Sequence, residues 1–379
     1  MLQFFTLLSL AIALVQGLVL PEFTTQGVTG PVKIDFNVSN TVGDISAQEF
    51  WSKRSNTLAK RGPFSEVAVP YRNIAYHMDV YLGSNRQKAT VILDTGSSDL
   101  WVPSDNYNPA TSSSSQSTGE TFQIGYLDGT NANGQTYLDT FQFETPYPVL
   151  SNFKFARSTS TGGFGVLGVA DRNQEATPTQ YDNLPWALQK AGVIPKASYS
   201  LILNRVGQSG SVLFGGIDTA KYNGKLAQYS IDTRAGGLGI TLQTLGMEGH
   251  EYPAGVAVFL DSGTTLGLLN SQLMARLDNV FHPTIINYGG IQYRQVSCSQ
   301  PSDRFLDFHF GANAVSIAYS DLIFRQGDGT CLLGFGWYND YNILGAVFLR
   351  SAYVHFDLSN QQISIAQASY SSASNVISD

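Results

Sequence analysis

Charge is scarce in this chain. Of its 379 residues only 13% are Asp, Glu, Lys or Arg, against roughly 25% in an average globular domain. Such a surface must be polar through Ser, Thr, Asn, Gln and Gly, which excludes a charged disordered chain, a coiled coil and a long solvated helix array. No stretch concentrates one sign of charge, although 22 Lys+Arg stand against 29 Asp+Glu for a net −7. A nucleic-acid groove and an electrostatic membrane anchor are therefore not expected. The 5 histidines and 2 cysteines show no His-x-x-x-His or Cys-His spacing, so no metal is expected. There is no Gly-x-Ser-x-Gly elbow, and the Gly-rich pieces at 162–163 and 236–239 have no P-loop Lys. Serine-hydrolase and nucleotide chemistry lose their support, and no cofactor is implied. What is abundant is Gly (37), Phe (22) and Tyr (19), with Val and Ile throughout. That composition favours strands and tight turns, and the length suggests two domains or two lobes sharing one core.

The ends carry processing signals. Met1–Gln16 is apolar, uncharged and too short for a stop-transfer helix, so 1–17 is read as a signal peptide cut after Gly17, although its first residues lack Lys or Arg. Residues 18–61 hold few aromatics and two dibasic pairs, Lys53-Arg54 and Lys60-Arg61. The second pair directly precedes Gly62-Pro63, and the sequence turns strand-like at Val67. We read 18–61 as a propeptide released after Lys60-Arg61 by a dibasic-specific protease. The lone sequon, Asn37-Val38-Ser39, leaves with it. The C-terminal SYSSASNVISD has no hydrophobic tail, so a membrane anchor is not expected and secretion into solution is.

One internal duplication stands out. Val91-Ile92-Leu93-Asp94-Thr95-Gly96-Ser97-Ser98 matches Val258-Phe259-Leu260-Asp261-Ser262-Gly263-Thr264-Thr265. Downstream, Phe164-Gly165-Val166-Leu167-Gly168 follows the first and Asn342-Ile343-Leu344-Gly345 the second, so each Asp precedes its apolar-apolar-Gly piece by a similar distance, 74 and 84 residues. Each half thus ends an apolar strand, expected to be buried on both faces, in an Asp on a tight turn. Gly96 and Gly263 are expected to supply backbone angles that a Cβ forbids, and the hydroxyl residues to orient the carboxylates. Related by a two-fold axis, the loops would bring Asp94 and Asp261 face to face, where the pair shares one proton.

On these residues the chain resembles the pepsin-like aspartic proteases, most closely the secreted (candidapepsin-like) enzymes of yeasts. The resemblance covers essentially all of 62–379, through LDTGSSDLWVPS (93–104), FQIGYLDGT (122–130), VLGV (166–169), YDNLPWALQKAGVI (181–194), SVLFGGID (211–218), FLDSGTT (259–265) and ILGAVFLRSAYVHFD (343–357). It implies an all-β, bilobal fold with pseudo-two-fold related lobes and a central cleft, the N-terminal lobe at 62–207 and the C-terminal lobe at 208–379. Asp94 and Asp261 match the catalytic pair. Thr95 and Ser262 match hydroxyls that bond across the lobe junction, and Ser97 and Thr264 match those that bond to the carboxylates. Tyr126 matches the tip tyrosine of a flap hairpin whose turn is Asp128-Gly129, a strong turn signal in its own right, and Trp101 matches the tryptophan that supports that tyrosine. Asp128 is a candidate acceptor for a basic substrate side chain. Cys298 and Cys331 match a C-terminal-lobe disulfide, a pairing also expected of a secreted chain with two cysteines.

Two departures matter. Ala346 stands where many members carry a third acid, and 104–118 is short, Ser-rich and without the disulfide common in yeast enzymes, so that side of the cleft is expected to be open or mobile. The reading is a secreted, propeptide-activated aspartic endopeptidase, a monomer acting on proteins and peptides without a membrane anchor. The rival from another class is a pepsin-fold binding protein without catalysis, which would be expected to replace one Asp or crowd the cleft. A wall-anchored processing protease is disfavoured by the C-terminus.

Overall fold

The computed structural model describes residues 30–40, 74–126, 131–144, 149–205, 208–288 and 290–379. The chain is built on strands: a 13-stranded sheet, a 7-stranded sheet, a 4-stranded sheet and a 2-stranded ribbon account for most of it. Helices are few, and each is explained locally. Ser271–Phe281 turns Leu273, Met274, Leu277 and Phe281 to one buried face, and Asn270 caps it by accepting the Leu273 N–H at 3.0 Å.

The duplicated sequence units are equivalent in space. Strand Gln87–Asp94 runs parallel to Gly165–Gly168, with Leu93 opposite Leu167 and Asp94 opposite Gly168. In the second half, His250–Leu260 runs parallel to Ile343–Leu344, with Leu260 opposite Leu344. Burial differs from the expectation of two covered faces. Val91 and Leu93 are buried and Ile92 only partly, and the second copy repeats this with Val258, Leu260 and Phe259. One face of each strand enters the core while the other is half covered, the ordinary period-2 pattern.

The two halves share the 13-stranded sheet. Its middle runs Ala352–Asp357, Ser198–Ile202, Gly210–Phe214, Val32–Asn40, Ile74–Leu82 and Gln87–Asp94. The boundary suggested at 207/208 therefore falls between Ser198–Ile202 and Gly210–Phe214, two strands that pair antiparallel inside the shared sheet. Val32–Asn40 belongs to the expected propeptide, yet it is an interior strand. Val32–Phe36 pairs with Gly210–Phe214 and Asn37–Asn40 with Ile74–His77. Its alternation buries Val32, Ile34 and Phe36 and leaves Asp35 and Asn37 exposed.

The 104–118 segment is anchored rather than loose. Tyr107, buried, donates to Asp139 Oδ2 at 2.6 Å, Ser114 donates to Asp139 Oδ1 at 2.5 Å, and Ser112 Oγ accepts the Ser84 N–H at 2.9 Å. Hydrogen bonds to a buried carboxylate do here what a disulfide would do.

Candidate active site

Asp94 ends its strand at the edge of the core, 6% exposed, and Asp261 does the same at 8%. Their surroundings are mirror images. Gly96 N–H donates to Asp94 Oδ1 at 2.8 Å and Gly263 N–H to Asp261 Oδ1 at 2.9 Å. Ser97 donates to Asp94 Oδ2 and Thr264 to Asp261 Oδ2, both at 2.5 Å. Burial first, and then the charge of Asp261, push the Asp94 carboxyl up to about 7, against the opposing bonds from Ser97 and Gly96. Two such carboxyls side by side hold one proton between them more readily than none.

The glycines are needed for room rather than for backbone angle. Neither Gly96 nor Gly263 has a positive φ, which corrects the expectation from sequence. A methyl group on Gly96 would stand 2.6 Å from Asp261 Oδ1, and one on Gly263 2.5 Å from Asp94 Oδ1. Any side chain there would push the carboxyls apart. Gly168 and Gly345 play the same part from behind. A Cβ on Gly168 would lie 2.6 Å from the Ser98 nitrogen, and one on Gly345 would collide with the Leu266 carbonyl.

The junction beneath the carboxyls is a cross-stitched set of four hydrogen bonds. Thr95 N–H donates to Ser262 Oγ at 3.0 Å and Ser262 N–H to Thr95 Oγ1 at 2.9 Å. Each hydroxyl then donates across, Thr95 to Leu260 O and Ser262 to Leu93 O, both at 2.8 Å. Ala346 is buried, and its N–H donates to Thr264 O at 2.8 Å. Its counterpart in the first half, Val169, is also apolar and donates to Asp94 O at 2.9 Å. The missing acid makes the two halves more alike.

Strands Gln116–Gly125 and Asn131–Gln142 form the expected hairpin, paired as far as Gly125 opposite Asn131. Tyr126 follows directly, and its hydroxyl accepts the Trp101 indole N–H at 2.7 Å. Burial, then the nearby Asp94, drive the Tyr126 phenol well above its ordinary pKa. Trp101, Phe122, Ala132, Ala156 and Val166 make a small apolar cluster under this hairpin, with Ile124, Tyr126 and Ala176 packed against it. Asp128 and Gly129, the cleavage pair Lys60-Arg61 and the signal segment 1–17 lie outside the described residues. Cys298 and Cys331 are bonded, with S–S 2.08 Å.

Sequence reasoning passed over three polar groupings. Asp99 sits inside the quoted LDTGSSDLWVPS piece, and its counterpart in the second copy is Leu266; that asymmetry was the available signal. Asp171 and Gln174 bind across the halves, Asp171 accepting from Gln361 and Gln174 donating to Gly236 O at 2.7 Å. Among the described residues His355, Asp357 and Asp379 form a group of metal-ligand type. Lys196 already occupies it, 2.8 Å from Asp357 and 3.5 Å from Asp379, so its cation is supplied by the chain.

The arrangement has known counterparts. The model of the eukaryotic aspartyl protease family matches residues 75–368. Candidapepsin-3 of Candida albicans (strain WO-1) is 36% identical over 381 residues, 93% of this chain and 94% of that protein. Candidapepsin of Candida tropicalis is 33% identical over 396 residues, 97% of this chain and 96% of that one. The aspartic proteinase of Irpex lacteus superposes with a TM-score of 0.68 at 20% identity, covering 79% of this chain and 96% of that structure, a likeness of fold. The chain belongs to the eukaryotic aspartyl protease family, as a pepsin-like aspartic endopeptidase.

Proposed function

We propose that this endopeptidase is secreted, matures by loss of 18–61, and cleaves proteins at acid pH through Asp94 and Asp261. The carrying observation is the pair of buried carboxyls with mirror-image donors, one of them raised to about 7. A water held between the carboxyls gives a proton to the ionised partner and attacks the scissile carbonyl carbon. The protonated partner donates to the carbonyl oxygen, producing a gem-diol. A proton then passes to the amide nitrogen, the C–N bond breaks, and the products are a carboxylic acid and an amine. No covalent intermediate forms. Activity falls as the pH rises through the range where the pair loses its shared proton.

Secretion rests on the leader-like 1–17 and on relatives that bear the name secreted aspartic protease. Large apolar P1 side chains are the expected preference from the family resemblance, and Asp128 is proposed to admit Lys or Arg as well. An Asp128→Ser variant that leaves the Lys-P1 to Phe-P1 cleavage ratio unchanged would remove that second role.

The test is cleavage of denatured haemoglobin by the chain starting at Gly62, across about pH 2.5 to 7, with and without a statine-type analogue and beside Asp94→Asn. Acid-optimal cleavage that is blocked by the analogue and absent in the variant is expected. A folded protein inert at every pH would instead support a pepsin-fold binding protein.

A further inference from the structure

The segment between strand Gly165–Gly168 and helix Leu184–Lys190 meets Asp99 from the loop after Asp94, and the carboxyls gathered there are not used by peptide-bond chemistry. Asp99, 1% exposed, accepts the Ala176 N–H at 2.7 Å and the Tyr181 hydroxyl at 2.9 Å. Glu175 Oε2 accepts the Tyr181 N–H at 2.7 Å, while its Oε1 is buried without a hydrogen-bond partner among the described residues. The neighbouring charges do not balance this. Lys154, from strand Val149–Ser158 and 8% exposed, is committed to Glu120 of the hairpin's outer strand at 2.6 Å. It also donates to Thr179 O and lies 4.9 Å from the Tyr181 ring centroid. Asp182 adds a negative charge that is paired with Arg172 at 2.6 Å and Lys190 at 2.8 Å. One cation therefore faces three carboxyls, Glu120, Asp99 and Glu175. With all three ionised, negative charge would be stranded in a largely water-excluded place.

Ala176, held by Asp99, packs against the apolar cluster under the hairpin, the same cluster that Tyr126 packs against. We propose that Asp99 and Glu175 form an acid-dependent lock that holds residues 171–183 against the apolar cluster under the hairpin in acid and releases them as the pH approaches neutrality. The functional consequence, loss of packing beneath the hairpin that leads to Tyr126, rests on the reading of Tyr126 as a flap residue; the lock itself does not.

The protonation preferences agree with this geometry. Burial raises the Glu175 carboxyl to about 8, with the charges of Asp99 and Asp182 adding and the Tyr181 N–H and Lys154 opposing. Burial also raises Asp99, against its own donors and Lys154. A carboxyl raised on folding stabilises fully below its unfolded value, and that stability is lost as the pH climbs to its folded value. For Glu175 the loss spans its ordinary range up to about 8.

The experiment is hydrogen exchange read by mass spectrometry on the full chain carrying Asp94→Asn, which is expected to abolish self-cleavage and takes the Asp94 carboxyl out of the titration. Protection factors, corrected for intrinsic rates, are compared at about pH 5 and about pH 8. Protection over 171–183 is expected to fall at least about tenfold, while helix Ser271–Phe281 holds. Glu175→Gln in the same chain is expected to retain most of it. Equal protection at both pH values overturns the lock, as does an equal loss with Gln at 175. If Glu175→Gln does not fold, the parent profile alone decides. Failure of the protease reading would leave these exchange results standing.

Discussion

Thr95 and Ser262 exchange backbone and side-chain hydrogen bonds across the junction of the two halves, so that the N–H and the hydroxyl of each are bonded to the other half. Removing one hydroxyl orphans two buried groups of the opposite half. Thr95→Ala leaves the Ser262 N–H and the Leu260 carbonyl without partners, and each orphan costs about 1–3 kcal/mol. The expected result is a fall in Tm of several degrees and a drop in kcat with KM little changed, because the carboxyl spacing rather than the cleft is disturbed. The double variant Thr95→Ala/Ser262→Ala breaks all four bonds, two from each single, so its departure from the sum of the singles reads the coupling between them. Thermal unfolding and steady-state kinetics on all three variants check this.

Ser97 offers a pH test of the dyad. Its hydroxyl stabilises the ionised form of Asp94, while burial and Asp261 hold the carboxyl up at about 7. Ser97→Ala removes a lowering influence, so the carboxyl rises further and keeps its proton to higher pH. The alkaline limb of kcat/KM is expected to move upward. A pH–rate profile that moves downward or stays fixed would contradict the shared-proton account.

The Trp101 indole N–H donates to the Tyr126 hydroxyl at 2.7 Å, at the end of the hairpin strand. Trp101→Phe preserves the apolar packing around Phe122 and Val166 but deletes that donor. One hydrogen bond is worth about 1 kcal/mol, so kcat/KM for a long peptide should fall about five- to tenfold, with a smaller effect on a dipeptide analogue that the flap does not cover. Comparing the two substrates separates flap positioning from damage to the core.

How far the sequence was legible depended on locality. The Asp-centred turns could be read because an apolar strand and a close-packed loop repeat within a few residues, and Leu93 and Leu260 pair where the apolar-apolar-Gly pieces suggested. The reason for Gly96 and Gly263 was misjudged. Sequence shows a turn, but only coordinates show that the crowding atoms belong to the other half. Asp99, Glu175, Tyr181 and Lys154 come from separate segments, and no spacing rule brings them together. The Val32-Lys33-Ile34-Asp35-Phe36 alternation is a local strand signal, but its partners Gly210–Phe214 lie far along the chain and no spacing marks them.

The Cys298–Cys331 bond closes a loop of 33 residues in the C-terminal half. Closure of such a loop restricts the unfolded chain and contributes about 2–4 kcal/mol. Cys298→Ala/Cys331→Ala is expected to lower Tm by several degrees while leaving kcat and the pH profile intact, because strand Cys331–Leu333 and hairpin Thr284–Tyr288/Ile291–Gln295 lie apart from the carboxyl pair in the four-stranded sheet. Reducing agent should reproduce the shift in the parent chain and leave the double variant unchanged.

Phe36 tests what the expected propeptide contributes to folding. It is buried in the shared sheet, edge-on to Tyr76 at 5.5 Å, and covers Gly210. Truncation to Ala should destabilise the uncleaved chain by about 3–5 kcal/mol, seen as a lower Tm in the Asp94→Asn background. After cleavage behind Arg61, parent and Phe36→Ala precursors yield the same mature sequence, so their kcat/KM must agree. Any fall in the amount of active enzyme recovered then reports only the help that the strand gave during folding. A large loss of yield is expected, because Val32–Asn40 joins Gly210–Phe214 to Ile74–His77 and no other described strand bridges those two. An unchanged yield would confine 18–61 to covering the cleft, and an 18–61 peptide titrated against the mature enzyme would then have to inhibit it.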